Sequence, residues 1–157
     1  MRLFFSLAAC AAILGLSACG GGVSTTPPPS AVSSPAALQT ADSVIGTGLE
    51  AVAGSRVQVS YTGWLYDAGA ADFKGTRFDA SGAGKSFTFV VGAVGSGESA
   101  IAGFSQGVQG MKVGGTRTIL IPAGLGYGAQ GVPGLIPANS GLVFEVELVK
   151  VCGSAAC

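Results

Sequence analysis

The chain contains no histidine and few charged residues. Its 157 residues include 8 Lys or Arg and 8 Asp or Glu, which gives a formal net charge of +0. Without histidine neither a Ser–His nor a Cys–His pair can form, so the usual machinery of nucleophilic hydrolysis is excluded. The sequence also has no basic cluster, and we therefore expect no binding to nucleic acid.

Cysteines are scarce as well, and their positions limit what they can do. Cys10 lies in an N-terminal apolar run and Cys19 follows that run, which leaves only Cys152 and Cys157 near the C-terminus. These two form a candidate disulfide that would close a very short loop in an oxidising compartment. With no histidine and no further free thiol, we expect no metal site. We expect no cofactor either.

Residues 1–18 have the features of a lipoprotein signal peptide. Arg2 gives a positive start, and residues 3–16 form an apolar run that is too short to span a bilayer. The Leu-Ser-Ala-Cys sequence at 16–19 resembles the bacterial lipobox, in which the cysteine is acylated after cleavage. It predicts a lipid on Cys19 and a lipid-anchored protein in the cell envelope, at the outer membrane facing the periplasm. The alternative is an ordinary signal cut near Ala18, with Cys19 left as a free thiol.

Glycine is the residue present in excess, with 27 in the chain, well above the average share of about 7%. Residues 19–40 are rich in Gly, Pro, Ser and Thr and have almost no large apolar side chain, which predicts a flexible linker after the lipidated cysteine. Residues 41–152 are long enough for one domain with its own core. Residues 153–157 form a short C-terminal tail.

Hydrophobic alternation with a period of two predicts strands at 56–66, 86–91, 116–122 and 142–151. In the last of these, the even-numbered positions from Leu142 to Leu148 are apolar, whereas Glu145 and Glu147 lie on the other face. Glycines mark the turns between the strands. The chain is therefore expected to be built mainly from an antiparallel sheet.

One segment follows a helical period instead. Its apolar residues recur at spacings near three and four, at Ile101, Phe104, Val108 and Met111. Gly103 and Gly107 each cost a helix about 1 kcal/mol relative to alanine, so packing against the sheet must hold this helix in place. The predicted fold is α+β, an antiparallel twisted sheet wrapped around one short helix.

Six segments carry a family resemblance, and they occur in order between residues 59 and 148. They are VSYTGWL at 59–65, GTRFD at 75–79, IAGF at 101–104, GMKVGG at 110–115, LGYG at 125–128 and LVFEVEL at 142–148. Together they resemble the signature segments of FKBP-type peptidyl-prolyl cis-trans isomerases, here in a bacterial lipoprotein form. The resemblance implies a half-barrel sheet closed over the helix, with an apolar pocket for a prolyl residue between them.

The resemblance also implies which residues form that pocket. The expected catalytic residues are Tyr61, Phe78, Asp79, Ile101, Tyr127 and Phe144. The expected substrate-binding residues are Phe87, Ala100, Phe104, Val132, Leu135 and Ile136. Aromatic walls would surround Phe104 as the floor, Ile101 would offer its backbone N–H to a substrate carbonyl, and Asp79 and Tyr127 would make polar contacts at the rim. Ala100, Leu135 and Ile136 would complete the apolar lining, and Val132 would lie at the rim.

The implied activity is rotation about X-Pro bonds in exported polypeptides by non-covalent binding in this pocket (EC 5.2.1.8). The expected partners are proline-containing unfolded or exported polypeptides, the membrane through the lipid anchor, and macrolide inhibitors of the family. We expect a monomer. The alternative is a non-catalytic envelope lipoprotein that binds proline peptides or acts like a chaperone.

Overall fold

A computed structural model of the protein describes residues 32–93, 97–153 and 157. Within these residues the chain forms six strands, one α-helix and one 3-10 turn. The strands are β1 (Gln39–Val44), β2 (Arg56–Tyr66), β3 (Lys74–Ala80), β4 (Phe87–Val90), β5 (Thr116–Ile121) and β6 (Leu142–Gly153). The helix α1 spans Ala102–Val108, and the 3-10 turn spans Ala123–Leu125. The predicted α+β fold with one short helix is confirmed.

The strands form one antiparallel sheet in the order β1-β5-β6-β2-β3. β4 also pairs with β2, at Arg56 to Val59, whereas β3 pairs further along, at Thr62 to Tyr66. The chain between β3 and β4 therefore passes the middle of β2. There the Tyr61 amide donates to Ser81 Oγ at 2.9 Å, and the Ser81 amide donates to the Tyr61 carbonyl at 2.9 Å.

Helix α1 packs on the sheet at unusually close range. A Cβ atom built on Gly103 would lie 2.3 Å from Ile121 Cγ2, and one built on Gly107 would lie 2.5 Å from Ile119 Cγ2. Both distances are far inside van der Waals contact, so only glycine permits this approach. Phe104 and Val108, on the same helix, are buried in the core. Tertiary packing therefore holds the weak helix, as the sequence predicts.

The alternation predicted for the last strand is confirmed. Leu142, Phe144, Val146 and Leu148 are buried, and Glu145 and Glu147 are exposed. Val143 is also fully buried, although it lies on the face opposite the core cluster. Its cross-strand neighbours are Trp64 on β2 and Leu120 on β5, and large side chains at paired positions can cover one another.

Regular structure begins before residue 41, where the sequence places the start of the domain. β1 begins at Gln39, and Ser33 Oγ donates to the Tyr66 carbonyl at 2.9 Å. Ser34 Oγ accepts the Ala123 amide at 3.0 Å, and Pro35 is buried. Hydrogen bonds hold this segment together with the buried Pro35 and the partly buried Leu38. Every side chain of β1 is exposed, so no alternating hydrophobic pattern marks that strand.

Other boundaries differ less. β4 is shorter than predicted, β6 continues to Gly153, and α1 ends at Val108, so that Met111 is buried in the turn after it. Strand β3 was not predicted from its pattern, because its pairing with β2 is irregular and its exposure does not alternate regularly. The predicted signal peptide, the predicted lipidation site Cys19 and the predicted linker up to residue 31 lie outside the described residues.

A disulfide joins Cys152 at the end of β6 to Cys157. It attaches the C-terminal residue to the strand that occupies the centre of the sheet order. Among the described residues, no helix has the length and apolar character needed to cross a membrane. Within the same residues, no group of three acidic, cysteine or histidine side chains could hold a metal ion.

Candidate active site

A cavity of about 260 Å³ lies where α1 begins against the sheet. We call it the central cavity, and it is lined by Tyr61, Asp79, Phe87, Ser99, Ala100, Ile101, Phe104, Tyr127 and Phe144. The structure thus brings together residues from β2, β3, β4, β6, the helix start and the loop after β5. All of them except Ser99 were predicted as site residues. Ser99 carries no signal in the sequence beyond its position next to Ala100.

Aromatic rings in edge-to-face contact form the base of the central cavity. The centroids of Phe104 and Phe144 lie 5.0 Å apart, and that of Tyr61 lies 5.7 Å from Phe104 and 5.8 Å from Phe144. Phe87 extends this group, with its ring 6.0 Å from that of Tyr61. These separations and T-shaped angles are those that aromatic pairs prefer. Phe104 and Phe144 are almost fully buried, so the cavity has a fixed apolar floor.

The polar side of the central cavity is a hydrogen-bonded pair. Tyr61 donates its hydroxyl to Asp79 Oδ2 at 2.6 Å, and the Ala80 amide donates to Asp79 Oδ1 at 2.8 Å. Burial raises the pKa of Tyr61 first, and its bond to the Asp79 carboxylate raises that pKa further. Burial, followed by the charge of Asp79, also raises the pKa of Tyr127. Both phenols are therefore neutral donors at physiological pH.

Ile101 offers a backbone donor at the edge of the central cavity. It precedes the first residue of α1, and its carbonyl accepts the Ser105 amide at 3.1 Å. Its own amide N–H makes no hydrogen bond to any of the described residues. The first N–H groups of a helix have no partner within the helix. The donor predicted for this position is therefore available to a ligand.

Phe78 lies behind the wall of the central cavity rather than on its lining. Its ring meets Phe144 edge-on at 5.6 Å. A Cβ atom on Gly63 would come within 2.8 Å of both rings, so this buried glycine makes room for the pair. Phe78 is thus not among the residues that line the central cavity, and its predicted catalytic role stays a prediction.

Val132, Leu135 and Ile136 do not line the central cavity, and their predicted role in substrate binding stays a prediction. The Val132 amide donates to the Ile136 carbonyl at 2.8 Å, so the loop folds back on itself at this point. These residues line a second cavity of about 350 Å³, which we call the flanking cavity. Its lining is Leu65, Thr76, Gln130, Val132, Pro133, Gly134, Leu135, Ile136, Pro137 and Ala138.

Comparison with known proteins identifies the family. The family model for "FKBP-type peptidyl-prolyl cis-trans isomerase" matches residues 48–149. The chain belongs to this family. It is 45% identical over 107 residues to an FK506-binding protein of Neisseria meningitidis serogroup C, a match that covers 66% of this chain and 86% of that protein. The predicted activity is confirmed: the protein is a peptidyl-prolyl cis-trans isomerase (EC 5.2.1.8).

Solved structures of FKBP-type isomerases have the same fold. A peptidyl-prolyl cis-trans isomerase from Pseudomonas syringae pv. tomato superposes with a TM-score of 0.59 at 32% identity, over 73% of this chain and 74% of that one. FkpA from Escherichia coli gives a TM-score of 0.60 at 34% identity, over 75% of this chain and 49% of FkpA. The sheet-and-helix framework that positions the central cavity is therefore that of the family.

Proposed function

We propose that the FKBP-type isomerase acts on X-Pro bonds of exported polypeptides, with the prolyl ring held in the central cavity. The observation that carries this proposal is the cavity itself, which combines a floor of edge-to-face aromatic rings with neutral hydroxyl donors and one free backbone N–H. Within its lining, Ser99 is the sole aliphatic hydroxyl and there is no cysteine, and the chain has no histidine to activate a nucleophile. The reaction is therefore non-covalent.

The chemistry of amide rotation suits such a cavity. Rotation about the X-Pro bond has a barrier of about 18 to 20 kcal/mol, because amide resonance is lost on twisting. The twisted amide is less dipolar than the planar one. Apolar surroundings from Phe104, Phe144 and Phe87 therefore destabilise the planar state relative to the twisted state. Each reduction of the barrier by about 1.36 kcal/mol speeds rotation tenfold.

Polar groups around the cavity hold the chain on either side of the proline. In the proposed complex the Ile101 N–H binds a substrate carbonyl, and the Tyr127 hydroxyl binds at the rim. The Tyr61 hydroxyl is already used by Asp79 at 2.6 Å, so this pair keeps the carboxylate in a fixed position beside the twisting amide. Holding the flanking chain allows binding energy to favour the twisted geometry.

Substitution of Tyr127 tests this assignment. We expect Tyr127→Ala to lower kcat/KM for a proline tetrapeptide in a protease-coupled assay, because it removes a donor and part of the rim. Phe78→Ala should also lower it, through loss of support for Phe144. Tyr66→Ala is the matched control, since Tyr66 stacks on Phe73 outside the central cavity. Full activity in both folded site variants would contradict the assignment, and background rates in the intact wild type would favour the non-catalytic binder.

For location, we propose that an acyl chain on Cys19 anchors the protein in the outer membrane, with the domain facing the periplasm. The Leu-Ser-Ala-Cys sequence at 16–19 supports this proposal. Metabolic labelling with a clickable fatty acid, followed by membrane fractionation, tests it. We expect label and membrane association in the wild type and neither in Cys19→Ser. An unlabelled wild-type protein would instead support ordinary cleavage near Ala18.

Two further expectations concern partners. The relative from Neisseria is named an FK506-binding protein, and we propose that this macrolide occupies the central cavity and inhibits the isomerase competitively. Titration of FK506 in the peptide assay measures this, and inhibition that proline peptide cannot relieve would contradict it.

We also propose that the protein is a monomer, which light scattering of the purified chain checks.

A further inference from the structure

The flanking cavity and the central cavity are lined by residues from the same two segments of the chain. On β3, Asp79 lines the central cavity and Thr76 lines the flanking cavity. On the loop after β5, Tyr127 lines the first and Val132 lines the second. Two separate parts of the chain therefore lead from one cavity to the other. Three residues of β3 span about 10 Å, at roughly 3.4 Å per residue.

The lining of the flanking cavity is neutral and largely apolar. None of its residues carries a charge, and Thr76 and Gln130 provide its only side-chain polar groups. Its volume of about 350 Å³ lies within the range of cavities that bind small ligands. Leu135 forms part of its wall and is 51% exposed. An apolar group bound here would cover that exposed side chain, whereas a charged group would be desolvated without a partner.

Another cleft of the molecule has a different character. It has a volume of about 590 Å³ and lies between the outer face of the sheet and the β3–β4 loop, where Glu145, Glu147 and Lys85 line it. It does not contain the aromatic residues of the central cavity apart from Tyr61. This cleft shares Tyr61 with the central cavity, but its charged lining does not suit an apolar side chain of the substrate, whereas the neutral flanking cavity does.

The flanking cavity is preformed. Besides the bond from Val132 to Ile136, the Leu135 amide donates to the Val132 carbonyl at 3.0 Å, and the Gly131 amide donates to the Tyr127 carbonyl at 3.1 Å. Gly131 has a φ of 59°, and a Cβ atom there would lie 2.2 Å from the Ile136 carbonyl oxygen. The tight turn thus depends on glycine. A wall that needs little ordering on binding adds affinity at low entropic cost.

We propose that the flanking cavity is a substrate subsite for a large apolar side chain about three residues from the prolyl residue, since an extended chain covers roughly 10 Å in that distance. The proposal rests on the binding of proline in the central cavity. It makes the preferred substrates unfolded segments in which a proline has an apolar residue nearby but not adjacent.

The test uses the full chain and alanine-based proline peptides with a single leucine moved along the sequence. NMR exchange spectroscopy gives kcat/KM for cis-trans exchange of each peptide. We expect one leucine position, roughly two to four residues from the proline, to raise kcat/KM about tenfold over the alanine host. That leucine should also shift the backbone amide signals of Thr76 and Gln130, which the host peptide should leave in place.

Two lysine variants, one in the flanking cavity and one far from it, form a matched pair. Thr76→Lys should bring the leucine-to-alanine ratio of kcat/KM close to one, and a glutamate at the same peptide position should then be favoured. Thr40→Lys adds the same charge on β1, at the opposite end of the strand order, and should keep the ratio of the wild type. The subsite proposal alone is wrong if the enzyme accelerates exchange of the host peptide but no leucine position raises kcat/KM. It is also wrong if Thr76→Lys keeps the leucine-to-alanine ratio of the wild type. If the wild type does not accelerate even the host peptide, the proline site and the subsite are both wrong.

Discussion

Replacing Gly107 by alanine should destabilise the protein, although it removes a poor helix former from the last turn of α1. Helix propensity alone favours alanine by about 1 kcal/mol. The new Cβ atom, however, would lie 2.5 Å from Ile119 Cγ2 and 2.7 Å from its Cδ1. Ile119 is fully buried, so it has no free space into which it can move. Overpacking of this kind costs about 1 to 3 kcal/mol, and the depth of this overlap places it at the upper end.

The net effect should be a loss of about 2 kcal/mol, the difference between the overpacking cost and the gain in helix propensity. For a domain of this size, that loss corresponds to a fall in Tm of roughly 8 °C. Urea unfolding gives the free energy and thermal unfolding gives the Tm. Gly124→Ala is the matched control, because a Cβ atom there has no neighbour within 4 Å. It should change stability by less than about 0.5 kcal/mol.

The same substitution in an Ile119→Ala variant separates the cost of overpacking from the gain in helix propensity. Ile119→Ala removes the atoms that the new Cβ would meet, and in that background Gly107→Ala should be neutral or should stabilise the protein by up to about 1 kcal/mol. A wild-type protein that becomes more stable with Gly107→Ala would refute the reasoning. So would a loss of equal size in both backgrounds, because the loss would then not come from contact with Ile119.

Two further predictions concern the active-site wall and an ion pair. Gly63→Ala places a Cβ atom 2.8 Å from the rings of Phe144 and Phe78. Displacement of these two rings should lower kcat/KM in the peptide assay about tenfold. An unchanged kcat/KM would contradict a role of the two rings in catalysis. Hydrogen bonds from Arg117 hold the pKa of the Asp42 carboxyl below its usual range, so their stabilisation is present at neutral pH and is lost as pH falls through that lowered pKa. By urea unfolding, Asp42→Asn should therefore cost about 0.5 to 1 kcal/mol at pH 7, and progressively less as pH falls through the lowered pKa of Asp42. A loss that does not change with pH would contradict the charge-based explanation.

The elements that could be predicted from the sequence are those in which burial determines the type of side chain. The alternation in β2 and β6 and the helical spacing from Ile101 to Val108 follow from burial of one face, and burial selects apolar residues. β1 could not be predicted in this way, because its side chains are all exposed. The segment before β1 could not be predicted either, because Ser33 and Ser34 hold it by hydrogen bonds to distant backbone groups. Partners far away in the chain leave no local pattern.

The aromatic site shows the same division. The order of its motifs identified the family and nearly every residue that lines the central cavity. The backbone path of the loop after β5 decided that Leu135 and Ile136 lie in another cavity, because hydrogen bonds between Val132 and Ile136 fold the loop back. The position of Phe78 behind Phe144 likewise depends on space left by Gly63, which the sequence shows only as a glycine in a strand.

The sequence by itself thus determined the fold class through apolar periodicity, and the family and the chemical character of the site through six ordered segments that resemble the FKBP signature. The tertiary structure decided how close α1 lies to the sheet, which aromatic rings face the cavity, and that the chain forms a second, neutral cavity. Those features depend on contacts between residues far apart in the chain, such as Gly107 with Ile119 and Tyr61 with Asp79. Their distances are set only when the sheet closes over the helix.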